Sequence, residues 1–121
     1  MNALKNPLLW TLRITMIIQL VVGILLWMGH AANLTQFHMG VGSLFTLAFL
    51  GIVAVAAKGG APIGAVLGAV VLGFIIPLFG MKQMVLLVGP MHWVIRVVHL
   101  LIAMAAMGVA DQLMKRVPAA A

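Results

Sequence analysis

Residues 89–104 read GPMHWVIRVVHLLIAM, an apolar run carrying two histidines and an arginine. His92, Arg96 and His99 are spaced by four and then three residues, which on a helix is one stripe. Gly89 and Pro90 open the run, and proline is harmless in a first helical turn, where its missing N–H has no bond to lose. The apolar character lasts from about 90 to 114, beyond the ~20 residues that cross hydrocarbon. The run reads as a membrane helix whose ionisable stripe turns away from lipid.

Three similar runs precede it, over about 8–28, 37–57 and 62–79. Across 121 residues, 65% are hydrophobic and 7% charged, more apolar surface than a soluble domain of this size can enclose. Lipid is then the solvent, and a lipid-exposed span must satisfy its own backbone, so all four runs are expected to be helices. The links AANLTQ (31–36) and AKGGAP (57–62) are short and carry turn residues, which makes neighbouring helices antiparallel. The expected fold is an all-α membrane protein, an up-down bundle of four transmembrane helices forming one domain over 1–121. Pro7 and Pro62 fall in first turns, and Pro77 is expected to bend or stop the third helix.

Seven Lys and Arg stand against one acid, Asp111, for a net charge of +6. The basic residues are scattered singly, which fits topology signals beside anionic headgroups and argues against a nucleic-acid partner. With a cytoplasmic N-terminus, Lys5, Arg13, Lys58, Lys115 and Arg116 lie toward the inside and Lys82 outside. The expected setting is therefore a bacterial inner membrane with both termini cytoplasmic. Arg13 and Gln19 interrupt the first run, and GHAAN (29–33) is a poor cleavage site, so the first run is expected to be a retained span rather than a signal peptide. The absence of cysteine excludes disulfides, thiolate catalysis, Cys-ligated zinc, iron–sulfur clusters and covalent haem attachment.

Glycines crowd the second and third helices. Gly64 and Gly68 form a small-xxx-small pair expected to pack helices closely, while Gly40 and Gly42, beside His38, are expected to leave room for a flat cofactor.

The four histidines, His30, His38, His92 and His99, all fall in the outer half of this topology. His30 reads as an interfacial loop residue, and His92, next to Trp93, as either interfacial or a ligand. His99 lies about two turns deeper than His92, roughly 10 Å by helical rise, and needs a partner inside the bundle. A hydrogen bond to Gln19 or to a backbone carbonyl would serve. So would haem iron, which accepts a neutral imidazole on each face. His38 with His99 is the best-placed pair, His38 with His92 the competing one, and Arg96 supplies a cation where a haem propionate would need it. Neither Cys nor a nearby carboxylate supports zinc, and the ten methionines, Met39 and Met91 among them, offer thioethers to copper or haem but read mainly as apolar filler.

FHMGVG (37–42) and MHWVIRVVHLL (91–101), within a four-helix outline, resemble small membrane b-type cytochromes of the cytochrome b561-like and respiratory cytochrome b anchor kind. The resemblance implies haem b between helices, with His38 and His99 as ligands and His92 the alternate, and electron exchange with a quinone or a membrane protein partner. Histidines near one face alone argue against a transmembrane electron wire within one chain. Small multidrug transporters are excluded because the first helix has no glutamate, and no polar pore track suggests a fluoride channel. No nucleophile or acid–base constellation supports an enzyme, so a non-catalytic electron-transfer subunit is the primary expectation. The alternatives are a cofactor-free anchor or assembly subunit, alone or as a homo-oligomer, and a pigment-binding protein using one histidine.

Overall fold

The computed structural model describes residues 2–30 and 32–117. It is an all-α bundle of four helices, α1 (Lys5–Trp27), α2 (Thr35–Lys58), α3 (Ile63–Lys82) and α4 (His92–Lys115), with 3-10 turns at Asn2–Leu4 and Ala32–Leu34. All four are long and apolar enough to cross a membrane. Their alternating direction gathers Lys5, Lys58, Lys115 and Arg116 at one end of the bundle. His30, Lys82 and His92 lie at the other. α2 is the hub and packs against the other three helices.

Two glycines make the short links possible. Gly29, at φ 80°, donates to the Leu26 carbonyl at 3.1 Å, and His30 donates to Leu25 at 2.9 Å. Gly60, at φ 88°, repeats the pattern with Ala57, and Ala61 donates to Ala56. Left-handed geometry without a Cβ penalty lets the chain reverse while the last helical carbonyls stay hydrogen-bonded. A helix end beside hydrocarbon cannot leave those carbonyls bare.

Pro77 lies inside α3 and does not stop it: the helix runs on to Lys82. The proline removes one intrahelical bond, whereas unwinding the segment would strip several amides of partners in a medium that offers none. Pro90 also differs from expectation. It precedes α4, whose first residue is His92.

Packing is uneven along the bundle. The buried core joins Leu12 of α1, Phe45 to Ala56 of α2, Val66, Ala69 and Ile76 of α3, and Ala106 to Met114 of α4. Gly73 lets α3 approach α2 so closely that an added Cβ would stand 2.6 Å from Leu50 Cδ2 and 3.2 Å from Phe49 Cδ1. Gly64 and Gly68 do not act this way. Nothing lies within 4 Å of a Cβ built at either. They line an apolar groove of about 510 Å³ on the bundle surface with Ala105 and Gly108 of α4. Toward the histidine end the packing loosens: among the described residues, none in 23–44 or 77–105 is buried.

The basic end carries an ion pair. Arg13 Nη2 of α1 reaches Asp111 Oδ1 of α4 at 3.3 Å, with the two side chains 43% and 45% exposed. The Arg13 guanidinium also lies 5.8 Å from the centre of the Trp10 ring. Thr15 and Thr46, the buried hydroxyls, donate back to the Thr11 and Gly42 carbonyls at 2.7 and 3.0 Å. A polar group inside an apolar bundle is thereby satisfied within its own helix.

Candidate functional site

α2 enters the bundle from the histidine end, and His38 occupies its first turn. α4 descends beside it, and His99 sits seven residues past His92, about 10 Å along the axis. The difference in register brings the two rings together. Their centroids lie 6.4 Å apart with planes tilted by 56°. Metal–imidazole bonds are about 2 Å long and a ring nitrogen lies about 1 Å from its ring centre, so two imidazoles on opposite faces of one metal have centres about 6 Å apart. Each ring in such a pair must contain the metal in its own plane, which leaves the tilt between the rings free. The pair therefore has the spacing of a two-histidine axial set.

Each ring rests against a glycine of a different helix. A Cβ at Gly23 of α1 would stand 3.4 Å from His38 Cε1, and one at Gly80 of α3 would stand 3.3 Å from His99 Cε1. Phe79 of α3 stacks on His99, with centroids 6.0 Å apart and an 8° interplanar angle. One turn deeper, Gln19 of α1 occupies the space over Gly42 of α2, where a Cβ would stand 2.8 Å from its Nε2. All four helices thus contribute.

Polar accounting singles out this place. Among the described residues, three buried side-chain polar atoms lack a hydrogen-bond partner: Gln19 Oε1, His38 Nδ1 and His99 Nδ1. All three belong to this one cluster. Buried polar atoms left unpaired cost about 1–3 kcal/mol each; a metal taking the imidazole lone pairs would relieve the two Nδ1 atoms, whereas the Gln19 acceptor would still need a donor. The hydrogen bond from His99 to Gln19 that the sequence allowed does not form.

The other expected residues are placed as follows. His92 is half-buried, and its Nδ1 donates to the Leu86 carbonyl at 3.1 Å. That contact ties the start of α4 to the α3–α4 connection. Arg96 Nη1 reaches the Trp27 carbonyl at 3.5 Å, and its guanidinium lies 5.7 Å from the Trp27 ring centre. A cation there meets the partial negative charge at the C-terminus of α1. Gly42 gives its room to Gln19, and nothing lies within 4 Å of a Cβ at Gly40. His30 is exposed just beyond α1.

No cluster of three or more His, Cys, Asp or Glu gathers among the described residues, so a site built entirely from such ligands is not present there. A two-histidine set completed by a planar tetradentate group needs no third protein ligand. Sequence reasoning singled out the two histidines. It missed Phe79, Gly23 and Gly80, because apolar and small residues on an all-round apolar helix give no sign of which side faces inward. No family model matches the chain, and no curated protein or solved structure is significantly similar to it.

Proposed function

We propose that this chain is an integral membrane, b-type haem-binding electron-transfer subunit that exchanges electrons with a quinone or a membrane protein partner. The observation that carries this reading is the His38–His99 pair, at the spacing of an axial set and with both Nδ1 atoms unpartnered. Haem b, when bound, supplies a one-electron couple. The chain's own residues hold and insulate it. His38 and His99 grip from α2 and α4, Gly23 and Gly80 give the rings clearance, and Phe79 keeps His99 from turning. Arg96 offers a cation on the aqueous side of His99, where a propionate needs one, and His92 remains the alternate ligand. The chain would sit in a bacterial inner membrane with both termini cytoplasmic, as the basic end supplied by Lys5, Lys58, Lys115 and Arg116 suggests.

The test is an absorption spectrum of detergent-purified protein, oxidised and reduced, from cells supplied with iron and a haem precursor. A Soret band that sharpens and shifts on reduction is expected. His38→Leu and His99→Leu should abolish it, while His30→Leu should retain it. Protein that stays colourless under these conditions refutes the reading. The groove along Gly64, Gly68 and Gly108 favours a second reading, a cofactor-free anchor or assembly subunit. If His38→Leu and His99→Leu leave folding and partner association intact in a colourless protein, that reading stands instead.

A further inference from the structure

The two connections at the histidine end differ in kind. The link from α1 to α2 carries His30 and Asn33, and Thr35 and Gln36 open α2. The link from α3 to α4 reads QMVLLVGPM over 83–91 and has no charged residue. Its apolar side chains are turned outward: Met84 and Val88 are 74% and 76% exposed, and Val85, Leu87 and Met91 are also exposed. The segment is held open by left-handed geometry at Leu87 (φ 47°) and Gly89 (φ 117°), and by the His92 contact to the Leu86 carbonyl. A connection in water would bury these side chains or replace them with polar ones.

We infer that residues 83–91 are a membrane-interface segment, seated among lipid headgroups and upper acyl chains rather than in water. Lipid is the occupant because the surface is continuous with lipid. Leu78 and Met81 at the end of α3 and Trp93 and Leu101 on α4 are exposed too, so exposed apolar side chains run without a break from span to link to span. Lys82 and Trp93 bracket the link, a cation and an indole being the usual residents of headgroup depth. The link's backbone is not helical, which keeps it out of the hydrocarbon centre and fixes its depth at the interface, where water and headgroups meet bare amides.

The chain has no cysteine, so single-cysteine variants label uniquely. Met84→Cys and Val88→Cys carry a bimane label in the full chain, reconstituted into phosphatidylcholine vesicles. Leu101→Cys serves as the lipid-facing control and Asn33→Cys as the aqueous one. Lipids brominated on the acyl chain should quench positions 84 and 88 nearly as well as position 101. Aqueous iodide should quench them several-fold less than position 33. Iodide quenching equal to that at position 33 at both sites, with bromolipid without effect, overturns the inference. Neither result depends on haem, whose retention the same samples report by absorbance.

Discussion

Gly73→Ala on α3 is the sharpest test of how the bundle closes. The added methyl would stand 2.6 Å from Leu50 Cδ2 and 3.2 Å from Phe49 Cδ1. Carbon atoms pack at about 3.5–4.0 Å, so both contacts are short, by roughly 1 Å and 0.5 Å. Leu50 is half-buried and can swing, but Phe49 is fully buried and cannot. Overpacking of this kind costs about 1–3 kcal/mol. Against it stand the usual gains of Gly→Ala in a helix interior, about 1 kcal/mol at most. Gly68→Ala isolates that gain, because it lies five residues away on the same helix with nothing within 4 Å. Gly73→Ala should therefore be less stable than Gly68→Ala by about 2 kcal/mol, the overpacking cost alone. Unfolding by sodium dodecyl sulfate in mixed micelles, followed by tryptophan fluorescence, measures the difference. Equal stability of the two variants would refute the argument that α3 is seated on α2 through Gly73.

Gln19→Leu removes a buried acceptor that has no partner, and it should raise the stability of haem-free protein by about 1 kcal/mol in the same assay. Asp111→Asn and Arg13→Gln should each destabilise by about 0.5–1 kcal/mol, the scale of a half-exposed ion pair, and the double variant by clearly less than the sum, because both single changes remove the same contact. Arg96→Gln should raise amide exchange over the last turn of α1, which loses the cation near its Trp27 carbonyl, at a cost of about 0.5–1 kcal/mol. Exchange at the far end of α4, around Leu113, should not change.

Much of the architecture was written in hydropathy and punctuation. Four apolar runs, separated by glycine-bearing links, specify four antiparallel helices because hydrocarbon allows little else. The meeting of His38 and His99 was legible for a related reason: an ionisable ring several residues inside a span has to face inward, and chain direction fixes its depth. What surrounds them was not. Phe79 and Gly80 look like every other apolar or small residue on α3, and which of them turns toward His99 depends on rotation of a helix that is greasy all round. Gly64 and Gly68 misled because the small-xxx-small pattern specifies a surface that permits close approach without naming the neighbour. Gly73, four residues beyond the buried Ala69 in the same kind of spacing, makes the contact. Of the two outcomes expected at Pro77, the stop did not occur, because the rule that proline ends helices is learnt where water can satisfy the freed carbonyl. The pairing of Arg13 with Asp111 could have been read from charge alone, since the chain has a single acid and both residues lie inside spans.

The contrast between a tight end and a loose end has a mechanical consequence. Leu12, Phe49, Ile52, Ala69 and Ala106, drawn from all four helices, clamp the rods together as a rivet clamps the blades of a pair of tongs. His99 is seven residues, about 10 Å, beyond Ala106. A swing of about 6° about the rivet shifts a ring at that radius by about 1 Å. The gap between the two imidazoles can thus widen or narrow on a scale that matters to coordination while the riveted contacts keep their geometry. A bundle packed evenly from end to end would have no such freedom.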